Sequence, residues 1–317
     1  MIPQLLTEGD PFTVFESRLR AENRERLVLA TDLDEAFGAD QLFVLYQPMF
    51  DLRSARMSGV EALLRWRHPR RGIISPETFI PAAEETGLIV PIGRWVLEEA
   101  CKRAAAWHAG GCSLGVAVNV STRQIERPEF TGAVRSALSK SRLPPAKLTL
   151  EITESKPICD PRATVRRLRS LKSLGVRIAI DDFGSGYSSL AYLHQLPIDE
   201  LKIDRSLITT GAAAHGSSDA LIATIIQIAK ALGIRTLAEG IEATPQLRRL
   251  QRLGCERGQG FLLARPLESG AVGALMGHER YRPASWSAAR LGTGATRRAQ
   301  RPARPVGRSQ RVRMTSV

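Results

Sequence analysis

Short apolar, β-branched runs alternate with amphipathic stretches from Gln41 to about Leu267. The amphipathic stretches repeat apolar residues three to four positions apart, which is typical of helices, and several end in a glycine at the position that commonly follows a helix. Strict alternation of strand and helix predicts a parallel sheet. The eight runs typical of strands are FVLYQP, MSGVEALLRW, LGVAVNVS, LTLEITE, VRIAIDD, DELKID, RTLAEG and GQGFLLARP.

The number of units decides between two α/β architectures. Eight units within about 230 residues favour a (β/α)8 TIM-like barrel, and no Rossmann glycine fingerprint follows the first strand. We therefore predict a barrel domain over residues 41–268. The helical stretches expected around it are PETFIPAAEETG, GRWVLEEACKRAAAWHAGG, RATVRRLRSLKSLG, SDALIATIIQIAKALG and TPQLRRLQRLG.

Two flanking segments differ from this barrel. Residues 1–40 end in a stretch where Ala30, Leu33 and Phe37 recur on one helical face, which predicts a lead-in helix. Residues 269–317 form an extension rich in Ala, Pro, Gly, Ser and Arg, which we expect to be largely disordered because it has little apolar surface to bury. From Arg290 onward it has eight arginines and no acidic residue, so 13 − 8 = +5 of the net charge belongs to the rest of the chain.

This arginine-rich extension raises a binding hypothesis. Its arginines could contact nucleic acid or an anionic membrane, or the segment could be a solvated extension with no partner. It lacks aromatic residues for base stacking and shows no amphipathic period, so we favour the extension without a partner.

The remaining composition narrows the class of protein. A hydrophobic content of 43% supports a well-buried core. The first residues have no signal-peptide pattern and no apolar run approaches the roughly 20 residues that span a bilayer, so we expect a cytoplasmic protein. The four cysteines and five histidines show no CxxC, HxH or HExxH spacing, which argues against a disulfide framework and a zinc site.

Seven of the strand-like runs end in a carboxylate, a carboxamide or a lysine. A barrel gathers its strand ends at one rim, so such residues can form a single site. Carboxylates aimed at one point repel each other unless cations lie between them, and hard divalent cations bind carboxylate and amide oxygens. The pattern therefore predicts a metal site. The residues concerned are Gln47, Glu61, Asn119, Glu151, Asp181 with Asp182, Lys202 and Glu239.

Several motifs at these positions resemble the EAL domain, a bacterial family that hydrolyses the second messenger cyclic di-GMP. The resemblance covers roughly residues 41 to 268. The matching motifs are EALLR at Glu61 to Arg65, YQP at Tyr46 to Pro48, VNVS at Val118 to Ser121, EITE at Glu151 to Glu154, DDFGSGYSSL at Asp181 to Leu190, KID at Lys202 to Asp204, AEGIE at Ala238 to Glu242, and QGF at Gln259 to Phe261.

The resemblance implies two Mg²⁺ or Mn²⁺ ions per site. It assigns Asp181 to both ions, and places Asp182 and Glu239 near the second ion or its water. The residues implied as metal ligands are Glu61, Asn119, Glu151, Asp181 and Asp182. An alternative for Asn119 is an ordinary turn amide, because Asn is common where strands end.

The resemblance also implies roles for other residues. Lys202 would position and help deprotonate the attacking water, or offset charge on the phosphoryl group, and with Glu239 and Glu61 it makes up the implied catalytic set. Gln47, Arg65 and Gln259 would hold substrate and water. Glu154 would anchor a loop. The alternatives are a surface ion pair of Lys202 with Asp204, and for Glu154 a surface carboxylate that begins a helix.

The glycine-containing run DDFGSGYSSL is a near miss for a dinucleotide-binding motif. Ser189 stands where the third glycine of GxGxxG belongs, so we reject that interpretation. By resemblance, the run forms a mobile loop that couples dimerisation to metal binding. The resemblance further implies a homodimer, with the helix around Ser218 to Leu232 as a candidate contact.

Three functions are compared. The leading hypothesis is a cyclic di-GMP phosphodiesterase that produces linear pGpG. The alternative is a catalytically silent EAL module that acts as a cyclic di-GMP receptor or protein-interaction domain, although the EAL glutamate, the paired aspartates and the lysine are all present. A nucleic-acid-binding protein is the third, and it depends on the basic extension alone.

Overall fold

A closed ring of eight strands lies at the centre of the chain, in a computed structural model that describes residues 26, 28–153, 161–184, 193–209 and 215–277. The ring order is β1-β9-β8-β7-β6-β5-β4-β2, and pairing of β1 with β2 closes it. The strands are β1 (Leu42–Asp51), β2 (Met57–His68), β3 (Gly72–Ile74), β4 (Gly115–Asn119), β5 (Leu148–Thr153), β6 (Arg177–Phe183), β7 (Glu200–Ile203), β8 (Arg235–Ala238) and β9 (Arg257–Gly258). Strand β3 extends β2 as an antiparallel hairpin outside the ring.

Helices cover the outside of the ring, as in a (β/α)8 barrel, so the predicted fold class is confirmed. Each of the five predicted helical stretches forms a helix. The helices are α1 (28–38), α2 (Pro76–Thr86), α3 (Ile89–Ala109), α4 (Thr122–Glu126), α5 (Phe130–Ser141), α6 (Pro161–Lys172), α7 (Arg205–Thr209), α8 (His215–Ala231), α9 (Thr244–Leu253) and α10 (Ser269–Gly277), with a 3-10 turn at Pro145–Lys147.

The direction of the first strand corrects the sequence prediction. A parallel sheet was predicted, and β2 and β4 to β9 are parallel, but β1 is antiparallel to both of its neighbours. Only residues 52–56 connect β1 to β2. That connection allows a hairpin, whereas a parallel pair requires a crossover of about a dozen residues.

The last predicted strand is also shorter than expected. The predicted run GQGFLLARP begins at Gly258, but the observed strand comprises only Arg257–Gly258. Phe261 to Leu263 form a turn. Gly260 has a φ of 155°, and a Cβ at this position would lie 2.2 Å from the backbone of Ile241. The chain therefore turns away from the sheet where it passes against Ile241.

The barrel interior has three layers along its axis. An apolar layer of Met49, Ala117 and Leu237 is separate from the main core, which lies between the strands and the helices. On one side of this layer lie the polar residues of the candidate site. On the other side, at the amino-terminal ends of the strands, a buried ion pair joins Glu200 to Arg257.

This ion pair forms the floor of the barrel. Nη1 of Arg257 donates to both carboxylate oxygens of Glu200, at 2.7 and 2.6 Å, and its Nε donates to the hydroxyl of Ser58 at 2.9 Å. Arg235 adds a second ion pair to Glu200 at 3.3 Å. The floor thus links β7, β8, β9 and β2 through side chains as well as through the sheet.

The flanking segments are only partly described. Helix α1 confirms the lead-in helix, and Asp32 on it contacts the buried His68 of β2 at 3.1 Å. The first residues of the predicted extension form α10, which contacts β1 and accepts a hydrogen bond from the Trp107 indole at the carbonyl of Ser269. Residues 278–317 lie outside the described residues, so their disorder stays a prediction. Among the described helices, none is long and apolar enough to cross a membrane.

We expect Glu200→Gln to destabilise the fold. Removal of one partner leaves the Arg257 guanidinium buried without a counter-charge, which typically costs about 3 kcal/mol or more. Chemical denaturation of the purified protein measures the free energy of unfolding. The matched control is Glu98→Gln, which removes a more exposed carboxylate paired with Arg94 and Lys140 and should cost under about 1 kcal/mol. Equal losses in both variants would contradict the structural role of the floor.

Candidate active site

The polar strand-end residues lie together at one end of the barrel interior. Parallel strands present their carboxyl ends at the same rim, and alternate residues along each strand point inward. Adjacent strands place Asn119 opposite Glu151 in the β4–β5 register, and Gln47 opposite Glu61 in the β1–β2 register. The structure brings together the side chains of Glu61, Asn119, Glu151, Asp181, Asp182, Lys202 and Glu239.

The ammonium group of Lys202 lies at the centre of this cluster. Its Nζ is 2.7 Å from Glu151, 2.8 Å from Glu239, 3.1 Å from Asp181 and 3.6 Å from Glu61. Lys202 is only 1% exposed. A lysine is buried to this extent only when it is paired, because an unpaired ammonium loses its hydration without compensation.

Two amide side chains hold the carboxylates at fixed positions. Asn119 donates from Nδ2 to Glu61 at 2.7 Å. Gln259 donates from Nε2 to Glu61 at 2.6 Å and to Glu239 at 2.9 Å. Both oxygens of the EAL-position glutamate, Glu61, therefore accept a hydrogen bond.

A backbone irregularity brings Asp181 and Asp182 to the same site. Consecutive residues of a regular strand point to opposite faces. Here the β6–β7 register shifts between Ile180 and Phe183, and Asp182 has a φ of 55°, which is unusual for a residue other than glycine. The shift breaks the alternation, so both neighbouring carboxylates reach the cluster.

Burial and crowding change the protonation of the cluster. Burial, with the charges of Glu61 and Asp181, raises the pKa of Glu151 well above its usual range despite the nearby Lys202. Burial likewise raises the pKa of Glu239 to about 8, and that of Asp182 to about 6 with the charges of Asp181 and Asp204. Burial alone would lower the pKa of Lys202, but the surrounding carboxylates raise it well above its usual value.

This arrangement has the donors and the charge that divalent cations require. Five carboxylates and one ammonium carry −5 + 1 = −4 when all are ionised. Two groups have oxygens within 4.8 Å of one another: Glu61 with Glu151 and Asp181, and Asp181 with Asp182 and Glu239. Asp181 belongs to both groups, as expected of a carboxylate shared between two ions.

Comparison with known proteins agrees with this geometry. The sequence profile of the EAL domain matches residues 30–266, which is most of the chain. The chain belongs to the EAL domain family. The resemblance inferred from the motifs is thereby confirmed.

The relatives of this EAL domain include named cyclic di-GMP enzymes. The bifunctional diguanylate cyclase/cyclic di-GMP phosphodiesterase MucR of Pseudomonas aeruginosa is 46% identical over 258 residues, covering 81% of this chain and 37% of the relative. The cyclic di-GMP phosphodiesterase PA2567 of the same organism is 42% identical over 241 residues, covering 75% of this chain and 41% of the relative. The chain thus spans well under half the length of these curated relatives.

A solved structure supports the same fold. The PaMucR phosphodiesterase in its c-di-GMP complex superposes with a TM-score of 0.73 at 45% sequence identity. The match covers 77% of this chain and 99% of that chain.

The predicted substrate-binding residues occupy different positions around the EAL site. Gln259 is 5% exposed and bridges two carboxylates, while Gln47 donates to the carbonyl of Ala264 at 3.3 Å and so contacts the segment after β9. Arg65 is half-buried, with one hydrogen bond to the carbonyl of Leu64 at 2.8 Å. Their roles in substrate binding stay predictions.

One alternative from the sequence is wrong, and another lies outside the described residues. A surface ion pair of Lys202 with Asp204 is excluded because Lys202 is buried against four other carboxylates. Glu154, the predicted loop anchor, lies outside the described residues, as do residues 185–190 of the predicted mobile loop.

Asp204 is a residue of the site that sequence reasoning missed. It is 9% exposed, shares a hydrogen bond with Asp182, and accepts a second from the backbone of Ser206 at 2.9 Å. The signal was its position two residues after Lys202 and directly after β7, because residues two apart in an extended chain point to the same face. Asp204 thereby helps to orient Asp182 toward the cluster.

We expect the EAL site to bind Mn²⁺ or Mg²⁺, and Asp181→Asn to weaken that binding at least about a hundredfold. Even residues that only support metal ligands cost 10–100-fold when changed, and Asp181 belongs to both oxygen groups. Isothermal titration calorimetry of the metal-free protein measures the affinity. The control is Glu256→Gln, which removes an exposed carboxylate at the other end of the barrel. Unchanged affinity in Asp181→Asn would contradict the shared position.

We expect Lys202→Met to destabilise the metal-free protein by about 3–5 kcal/mol, because the buried carboxylates lose their counter-charge. Saturating Mg²⁺ or Mn²⁺ should restore more stability to this variant than to the wild type, since cations replace the missing charge. Denaturation curves with and without metal measure both effects. Lys140→Met, which removes an exposed ion pair with Glu98, is the control. A loss in Lys202→Met no larger than in this control would rule out the proposed electrostatic role.

Proposed function

We propose that this EAL domain is a metal-dependent phosphodiesterase that hydrolyses cyclic di-GMP to linear pGpG and so lowers the second messenger in bacterial signalling. The observation that carries the proposal is the pair of carboxylate groups that share Asp181 around Lys202. The likeness to the PaMucR phosphodiesterase in its c-di-GMP complex supports the choice of substrate.

The proposed mechanism uses two sets of oxygen ligands. Two Mg²⁺ or Mn²⁺ ions, when bound, would polarise the phosphoryl oxygens and lower the pKa of the attacking water. The first set comprises Glu61, Asn119, Glu151 and Asp181, and the second comprises Asp181, Asp182 and Glu239. Water is the nucleophile in this scheme, so no covalent intermediate with the protein is required.

In this proposal Lys202 supplies positive charge and does not act as a base. The carboxylates around it raise its pKa well above the usual value in the metal-free site, which favours the ammonium form. An ammonium group held 2.8 Å from Glu239 and 3.1 Å from Asp181 would offset charge that grows on the phosphoryl oxygens and position the attacking water. Of the two roles inferred from the family resemblance, charge compensation is the better supported.

Polar groups beside the carboxylates would hold the substrate. Arg65 has a planar guanidinium fork that suits a phosphate. Among the described residues it donates one side-chain hydrogen bond, to the carbonyl of Leu64. The Oε1 of Gln259 is buried and accepts no hydrogen bond from any residue that the structure describes. This oxygen is therefore available to a water or to the substrate, while Gln47 supports the segment at Ala264.

The assembly and location belong to the same proposal. Leu221 on α8 and Leu232 just after it are exposed at 43% and 42%, which supports a contact between two copies through the predicted segment around Ser218 to Leu232. The cytoplasmic location stays a prediction from the sequence.

The proposal is tested by incubation of the purified protein with cyclic di-GMP and Mg²⁺ or Mn²⁺, with chromatography of the products. We expect linear pGpG from the wild type and from the Glu256→Gln control, and none above background from Glu61→Ala, which removes a carboxylate of the first set. Asp181→Asn should lose at least about a hundredfold in turnover for the same reason that it loses metal. Circular dichroism verifies that each variant is folded.

Two outcomes would contradict parts of this proposal. Binding of cyclic di-GMP by the wild type without turnover would exclude the phosphodiesterase and favour the receptor function. Substantial turnover by Asp181→Asn would exclude the shared ligand and require a different metal arrangement.

A further inference from the structure

A cavity of about 540 Å³ lies on the outside of the barrel, between helices α3, α4 and α5. Its size falls within the range of small-molecule sites, roughly 300–1,000 Å³. It shares no lining residue with the EAL site. Its walls include Val90 and Arg94 of α3, Gln124 of α4, and Phe130 and Ala133 of α5. We refer to it as the outer cavity.

Two guanidinium groups line the outer cavity. Arg127 is exposed and makes no ion pair with any residue in the described part of the chain. Arg94 uses its Nε for an exposed contact with Glu98 at 3.3 Å, which leaves the two terminal nitrogens of its fork. Glu129 is the single carboxylate of the lining, so the lining carries 2 − 1 = +1. This excess of positive charge favours an anionic ligand.

A buried amide points to the same kind of ligand. Gln124 is only 3% exposed, and its Oε1 accepts the backbone N–H of Ser121 at 3.1 Å. Its Nε2 donates to no other residue among those the structure describes, and it keeps contact with solvent at the cavity. A ligand oxygen in the outer cavity would provide an acceptor.

The rest of the wall is apolar and has room for more than an anionic group. Phe130 is 7% exposed, and Val90 and Ala133 are half-buried beside it. Gly132 also lines the cavity, and a Cβ at this position would have no atom within 4 Å. The first turn of the 12-residue helix α5 borders the same space, and the positive end of the helix dipole favours a negative charge.

We propose that the outer cavity binds a small phosphate monoester with an apolar body. Two guanidinium groups, one amide and a helix terminus offer more donors than the two oxygens of a carboxylate can accept, whereas a phosphate monoester has three terminal oxygens. Arg94, Arg127 and Gln124 would hold the phosphate. Val90, Phe130 and Ala133 would contact the apolar body. This site is separate from the proposed hydrolysis of cyclic di-GMP and does not depend on it.

The test is calorimetric titration of the full chain with phenyl phosphate, in buffer freed of metal by a chelating resin so that the EAL site holds no cation. We expect binding by the wild type and affinity about tenfold lower for Arg127→Gln, the loss of one charge-assisted contact. Gly132→Leu should abolish binding because its side chain occupies the open space. Arg135→Gln, an exposed arginine of α5 that is not in the cavity lining, is the matched control and should bind as the wild type does.

Several results would overturn the proposal. No binding by the wild type would exclude the site. Equal binding by the wild type and Gly132→Leu would place phenyl phosphate elsewhere, for example beside Arg65. If Arg127→Gln and Arg135→Gln weakened the binding of phenyl phosphate equally, the effect would be one of general surface charge. Equal affinities for inorganic phosphate and phenyl phosphate would exclude a role for the apolar body.

Discussion

The contact of one buried ammonium group with four carboxylates is the interaction on which the site depends. Lys202 lies between 2.7 and 3.6 Å from four carboxylates: Glu61, Glu151 and Asp181 on three different strands, and Glu239 directly after β8. Without this positive charge the carboxylates would repel one another across the barrel. Lys202 offsets only one of the negative charges, so the mouth of the barrel keeps an excess that suits divalent cations. Lys202 thus holds the carboxylates together and leaves some of their oxygens available to cations.

The layered interior keeps two charged clusters apart. The floor joins Glu200 to Arg257, and the mouth joins Lys202 to its carboxylates, with Met49, Ala117 and Leu237 between them. Arg257 of the floor is paired with Glu200, and both carboxylate oxygens of Glu200 accept hydrogen bonds from it. The negative charge of the mouth is therefore not neutralised from below, and it remains available to cations and to the proposed mechanism.

Local sequence patterns predicted most of the fold, but not how strands pair. Periodicity identified the barrel strands and the five predicted helices because it reflects which side of each element is buried. It could not show that β1 is antiparallel, since pairing direction depends on the short β1–β2 connection. It also overestimated β9, because the apolar run after Gly258 forms a turn beside Ile241, with Leu263 buried and Phe261 49% exposed, and does not pair in the sheet. Apolar composition alone does not distinguish such a turn from a strand.

The sequence by itself determined which chemistry is present: the order and spacing of its motifs identified the EAL family, and the strand-end carboxylates indicated metal. Only the tertiary structure decided how those groups meet. Gln259 bridges Glu61 from 198 residues away, and Asp204 joins the site through Asp182. The positive φ of Asp182, which turns two neighbouring carboxylates to one point, also depends on the surrounding strands. Residue types are local information, whereas these contacts arise only when distant strands close into one ring.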